Sequence, residues 1–187
     1  MTAERLPVGQ RWVEKPIVYD IGPVPSVDLD TFRLTVSGAV QEPLSLSWDD
    51  ILALPCSRLV RDLHCVTAWS VQDVAWEGVR TKEIVDRVIP DPEAKWVFVR
   101  GRDGYTTNLP IEDFGRPDSL LAYRMGDAPL RVEHGHPLRL VIPALYAWKS
   151  AKYVEEIEFL AHLRRGYWEE RGFHDRGDPW REERFRV

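Results

Sequence analysis

Phe32-Arg33-Leu34-Thr35-Val36-Ser37-Gly38 alternates apolar and polar side chains along its length. A period of two is the pattern of a strand with one face in a core and the other in water. The alternation recurs at Trp96 and Phe98, and again at Leu138, Leu140 and Ile142, while Val154, Ile157, Phe159 and Leu160 form a less regular apolar run. Helical candidates are short. Ser47 stands where it can cap Trp48 to Leu54 before Pro55 stops the helix, and Thr81 where it can cap a segment burying Ile84, Val85, Val88 and Ile89. The 14 prolines and 12 glycines are spread along the chain, which implies many short elements joined by tight turns and no flexible linker. Strands do not alternate regularly with long helices, which disfavours a doubly wound parallel sheet. The pattern predicts an α+β fold, a β-rich mixed core forming one domain over residues 1–187.

Composition bounds the function. With 187 residues, 44% apolar and 29% charged, the chain can bury roughly two-thirds of its surface without a disulfide or structural metal. The net charge of −5 with both signs interspersed leaves no electrostatic footprint for nucleic acid or an anionic membrane. The most apolar stretch, Leu138 to Trp148, contains Arg139 and Pro143 and falls short of the roughly 20 apolar residues that span a bilayer. The N-terminal MTAERLPVGQRW carries no export pattern, so a soluble, cytoplasmic protein is expected. In such a reducing compartment Cys56 and Cys65 are expected to remain unpaired.

No Gly-rich phosphate loop, dinucleotide fingerprint or Gly-x-Ser-x-Gly elbow is present, which narrows the search to cysteine, histidine and basic residues. Cys65 lies in Asp62-Leu63-His64-Cys65-Val66-Thr67-Ala68-Trp69-Ser70, a strand end running into a loop. Taken alone it reads as a buried small hydrophobe. His134 and His136, two residues apart, could join His64 and Cys65 in a zinc or copper site, or simply make ordinary loop hydrogen bonds. Tyr146-Ala147-Trp148-Lys149-Ser150-Ala151-Lys152 could offer amides, a hydroxyl and ammonium groups to a phosphate, or be a solvated charged turn. Of the eight tryptophans, Trp69, Trp76 and Trp148 fall close to these segments. Arg176-Gly177-Asp178 is a chance adhesion-like tripeptide.

Together these segments resemble the molybdopterin-binding domain of the sulfite oxidase superfamily, especially its short bacterial members. The likeness is carried by Tyr19 to Pro25, Phe32 to Gly38, Cys65 to Ser70 with Trp76 to Val79, Asp103 to Thr107, Leu120 to Tyr123, His134 to Lys152, and the ending from Gly166. The resemblance implies a mononuclear molybdenum oxidoreductase carrying molybdenum-molybdopterin (Mo-MPT), with Cys65 as catalytic residue and the only protein ligand to the metal. It further implies that Asp20, Ile21, His134, Arg139, Ser150, Ala151 and Lys152 contact the pterin and its phosphate tail. Arg139 would fork onto phosphate oxygens, Ser150 and the Ala151 amide would donate hydrogen bonds, and Lys152 would add a point charge.

Departures from the family pattern bear on substrate. Where animal and plant sulfite oxidases carry arginines, this chain has Tyr19, Trp69 and Ser70, so a neutral S-oxide or N-oxide is expected rather than sulfite. Cys-Val-x-Ala-Trp-Ser resembles the bacterial methionine-sulfoxide-reducing branch, with Thr67 in place of an acidic residue and Ala147 in place of a glycine. Sulfite oxidation, or a non-enzymatic metal- or cofactor-binding module using His64, Cys65, His134 and His136, are the alternatives. No haem-attachment or iron-sulfur motif is present, so an external electron-transfer partner is expected, alongside a small-molecule substrate. The stretch from Trp168 to Val187 mixes six acidic and five basic residues with aromatics, and is expected to dock through Tyr167, Trp168, Phe173, Trp180 and Phe185.

Overall fold

The computed structural model describes residues 6–186; the first five residues of the N-terminal stretch, and Val187, lie outside the described residues. Eleven strands and three short helices occur among them. The elements are β1 (Arg11–Trp12), β2 (Arg33–Gly38), β3 (Leu44–Ser47), α1 (Trp48–Ala53), β4 (Cys56–Cys65), β5 (Trp69–Arg80) and α2 (Thr81–Val88). They continue with β6 (Trp96–Gly101), β7 (Thr106–Pro110), α3 (Ile111–Phe114), β8 (Leu120–Met125), β9 (Ala128–Pro129), β10 (Arg139–Val141) and β11 (Val154–Leu160). One sheet runs β3-β2-β11-β6-β7, and the other runs β1-β5-β8-β10 with β4 on β5 and β9 on β8. Pairing is mostly antiparallel, but β11 lies parallel to β2 and β1 parallel to β5, which makes both sheets mixed as expected.

β2 has the predicted alternation: Phe32, Leu34 and Val36 are buried while Arg33 and Thr35 face water. In β6 the period is right but the face is not. Val97 and Val99 are the core residues there, and Phe98 is covered from the other side by the Arg164 guanidinium, 3.8 Å from its ring centre. The irregularity of β11 has a local cause, a register shift between Val154 and Glu156 that lets both Val154 and Ile157 point inward. β10 is buried on both faces, with Leu140 and Val141 at most 1% exposed and packed into different core clusters.

α1 begins as expected. Ser47 Oγ accepts the Asp50 N–H at 3.1 Å while the Asp50 carboxylate accepts the Ser47 N–H at 2.9 Å, a reciprocal capping box. Thr81 departs from expectation. It lies inside the first turn of α2 and its hydroxyl donates to the Phe114 carbonyl, so it ties α2 to α3 rather than capping. Ile84 and Val88 are buried by α2, whereas Ile89 sits past its end in a left-handed conformation, 46% exposed. A chain leaving the helix there turns Ile89 away from the core.

β4 and β5 form the longest pairing, from Cys56 opposite Val79 to Cys65 opposite Trp69. Both cysteines are free, Cys56 exposed and Cys65 buried. They stand at opposite ends of a ten-residue strand, about 30 Å at the usual rise, beyond disulfide reach.

The chain from Gly166 onward packs as an arm across β7. Tyr167 N–H donates to the Thr106 carbonyl at 2.8 Å, and Gly166 is needed because a Cβ there would fall 2.5 Å from the Thr106 oxygen. Arg176 forks onto Asp113 at 2.7 and 3.1 Å. Lys149 and Glu169 meet at 2.6 Å, each side chain 0% exposed. Trp168 and Phe173 are half-buried, but Trp180 and Phe185 remain 49% and 59% exposed, so fewer of the arm's aromatics dock than expected. Cutting the chain after Leu163 removes Glu169 and strands the buried Lys149 ammonium, a loss of about 3–5 kcal/mol. A thermal melt of the truncated protein is expected well below that of the full chain, and an unchanged melt would refute this account.

Candidate active site

Cys65 ends β4 and is followed by the turn Val66-Thr67-Ala68, in which Ala68 takes a left-handed φ of 68° and its N–H returns to the Cys65 carbonyl at 3.1 Å. Gln10 Nε2 donates to the same carbonyl at 2.9 Å, so the turn is held from both sides. The Sγ faces a cleft of about 390 Å³. Among the segments that wall it are the irregular strap Pro16 to Ile21, the turn at Glu133 and His134, and the stretch from Ala147 to Lys152. Of the site residues expected from sequence, Asp20, Ile21, Cys65, His134, Arg139, Ser150 and Lys152 all line this cleft. Ala151 does not; it is 1% exposed and belongs to the core behind the wall.

Each polar group in the cleft has a distinct standing. Cys65 Sγ lies 3.2 Å from Thr67 Oγ1, and burial raises its thiol above the ordinary value, against the pull of hydrogen bonds from Thr67 and Val66 and the charge of Arg184. Arg139 is 8% exposed with its guanidinium 5.4 Å from the centre of the Trp76 ring. One nitrogen donates to the His134 carbonyl at 3.3 Å and Nε has no partner. Burial lowers its pKa to about 10, and no carboxylate pairs with it among the described residues. A buried cation without a counterion is costly unless an anion completes it. Ser150 Oγ accepts the Ile142 N–H at 3.0 Å and keeps its own proton to donate. Lys152 is paired with Asp20 and also donates to the Glu133 carbonyl at 3.2 Å, so its charge is already partly neutralised.

Sequence reasoning missed several lining groups. Asp103 and Tyr105 come from the tight turn between β6 and β7, where the Tyr105 N–H donates to Asp103 Oδ1 at 3.0 Å. Burial raises the Asp103 carboxyl, with the Tyr105 N–H and Lys152 opposing. Tyr153 is buried outside this lining, where burial, then the carboxylates of Asp20 and Asp103, push it up to about 12. The Asp103-Gly104-Tyr105 turn was visible as a motif, but nothing local says that it faces Lys152. Trp168 and Phe173, from the arm, also line the cleft.

The four-residue metal site does not assemble. His64 points to the other side of the hairpin, its Nδ1 2.8 Å from Ser70 Oγ and its ring between Trp12 and Trp180 at 6.4 and 5.9 Å. His136 lies outside the cleft lining. Among the described residues no three His, Cys, Asp or Glu side chains converge where they could hold a metal ion. Of the positions that replace sulfite-oxidase arginines, Tyr19 and Trp69 line the cleft, whereas Ser70 is buried behind it on His64 and Gln10.

Comparison with known proteins places this architecture in a family. The model of the oxidoreductase molybdopterin binding domain matches residues 21–168, and the chain belongs to that family of oxidoreductases. An uncharacterized oxidoreductase of Bacillus subtilis, YuiH, is 43% identical over 182 residues, covering 97% of this chain and 92% of its own. The protein-methionine-sulfoxide reductase catalytic subunit MsrP of Campylobacter jejuni is 30% identical over 79% of this chain, which spans 57% of that protein's length. A sulfite oxidase of Arabidopsis thaliana is 26% identical, with 81% of this chain and 48% of its own covered. The fold is shared with the sulfane dehydrogenase SoxCD of Paracoccus pantotrophus, at a TM-score of 0.67 and 22% identity over 74% of this chain and 40% of that one.

His134 supplies a check on the cleft's electrostatics. Burial first, then the Arg139 charge, lower its pKa from 6.5. The folded chain therefore binds fewer protons than the unfolded one there, and this group's contribution to stability falls as pH drops below about 6.5. An NMR titration of His134 is expected to have its midpoint below 6.5. Arg139→Gln should raise that midpoint, and one that stayed in place would contradict the arrangement.

Proposed function

We propose that the cleft binds Mo-MPT with Cys65 as the protein ligand to molybdenum, and that the enzyme transfers an oxygen atom by reducing a neutral S-oxide or N-oxide. The observation that carries this reading is a soft sulfur donor opening on the same cleft as a buried arginine without a carboxylate. Thiolate suits a thiophilic metal, and an uncompensated guanidinium suits a phosphate. Bound there, the cofactor supplies two-electron redox chemistry. The chain's own part is to bind and orient. Arg139 would fork onto phosphate oxygens, Ser150 would donate its free hydroxyl proton, and the Ala151 amide would donate from the wall while its side chain stays in the core. His134, Asp20 and Ile21 would flank the pterin, and Lys152 would exchange part of its pairing with Asp20 for the phosphate.

The substrate class follows from charge. The cleft lining carries two fixed cations, Arg139 and Lys152, and three carboxyl groups, Asp20, Asp103 and Glu133, none of them paired with Arg139, with Tyr19, Trp69, Trp148 and Trp168 completing much of the rest. A dianion such as sulfite needs a surplus of fixed positive charge that this balance lacks. A neutral oxide does not. Reducing it consumes two electrons and two protons and releases one water, with the electrons delivered by a separate carrier protein. The 30% identity to a methionine-sulfoxide reductase subunit supports this direction. Sulfite oxidation is the second reading, favoured by the 26% identity to a sulfite oxidase. A cytoplasmic location belongs to the same proposal.

Cys65→Ser should abolish turnover with a reduced dye as donor and lower the molybdenum retained, while the loaded wild-type protein reduces sulfoxides or N-oxides. Undiminished activity in the variant would remove Cys65 from the metal, and efficient turnover of sulfite alone would reverse the assigned direction.

A further inference from the structure

Trp148 lines the cleft, and its indole is held in large part by the C-terminal arm. Its indole N–H donates to Glu169 Oε1 at 3.0 Å, within a carboxylate that also takes Lys149 Nζ at 2.6 Å and Thr107 Oγ1 at 2.9 Å. Phe173 meets the same indole edge to face at 5.3 Å. Gly177 lies so close that a Cβ would fall 2.6 Å from the Trp148 ring, and its carbonyl accepts the Tyr146 N–H at 2.8 Å. The Asp175 carbonyl accepts from Lys149 Nζ at 2.8 Å. From within its own segment, Tyr146 stacks on the indole at 5.3 Å and the Lys149 ammonium lies 5.8 Å from the ring centre, while the Tyr105 hydroxyl donates to the Trp148 carbonyl at 2.6 Å. Trp168 and Phe173 add their own surface to the lining. The matched family region ends at Trp168, so Glu169, Phe173, Asp175 and Gly177 all lie beyond it.

We propose that this arm is the wall that selects substrates: Phe173 and Trp168 contact the substrate's organic group, and Lys149 with Glu169 are positioning residues that hold Trp148 in place. The physical reason is rigidity. A lone surface tryptophan swings between rotamers, but one whose N–H is bonded to a buried carboxylate and whose face and edge are both packed presents a single shape. Such an aromatic wall discriminates by the size and planarity of a neutral group rather than by charge. The inference rests on the reading of the cleft as an oxide-reducing site.

The test compares a small dialkyl sulfoxide with a bulky aryl sulfoxide on the loaded full-length enzyme, together with the Trp148 indole N–H resonance, assigned through Trp148→Phe. Phe173→Ala is expected to change the ratio of kcat/KM for the two substrates by roughly tenfold, mostly through KM, and Phe173→Tyr to restore it. Glu169→Gln should shift the indole resonance, speed its exchange with water and move the same ratio. Gly177→Ala should do likewise where it folds, and Glu169→Gln carries the test where it does not. A ratio unmoved by Phe173→Ala and Glu169→Gln in an enzyme that reduces both sulfoxides overturns the wall. If the wild type reduces neither, the functional reading fails instead, and the wall is judged by the indole alone. It then stands if the aryl sulfoxide shifts that resonance in the wild type but not in Phe173→Ala, and falls otherwise.

Discussion

An ammonium and a carboxylate without contact to water hold the cleft side of this protein together. Lys149 and Glu169 could not be buried separately, because each charge would lose its hydration with nothing in return. Buried as a pair they need further partners, and Lys149 finds them in the carbonyls of Asn108 and Asp175, Glu169 in Thr107 and the Trp148 indole. One pair therefore locks together the edge strand β7, the turn bearing Trp148 and the arm. Burial pulls the Lys149 ammonium down and Glu169 holds it up. The network has one unspent group, Glu169 Oε2, which finds no partner.

The second constraint is the β4–β5 hairpin. Its turn is three residues long and needs a left-handed residue, supplied by Ala68, so the strand end must arrive with Cys65 facing the cleft and His64 facing away. Alternation along β4 thus separates two neighbouring residues that could each bind a soft metal. It leaves the thiol as the cleft's sulfur donor and places the imidazole in a structural role, bonded to Ser70 between two tryptophans.

Arg139 shows the cost of building such a site. Its strand is buried on both faces, and its guanidinium sits over Trp76 with Nε unpaired and a pKa lowered to about 10. A core evolved for stability alone would place an apolar side chain here. Lys152 is treated differently, being half-satisfied by Asp20 from the strap, so the cleft holds one cation in reserve and one already engaged.

Much of this could be read from the chain alone, because local rules carried it. The alternation in β2 and the capping box at Ser47 depend on nearest neighbours, and the motif likeness singled out seven residues that do line one cleft. The failures share a cause. The inward face of β6 differs from the expected one because Val97 and Val99 compete with Trp96 and Phe98 for the core, and only the partner β11 and the covering Arg164 decide which pair wins. Thr81 has the residue type of a cap but finds a carbonyl on α3, and the side chain of Ala151, between the lining residues Ser150 and Lys152, belongs to the core. Above all, no periodicity announces that Glu169 neutralises Lys149, or that Phe173 and Gly177 close upon Trp148. Those contacts join segments 20 or more residues apart, and their pairing is set by where the sheet brings the chain back, which is a property of the packed fold and of no stretch within it.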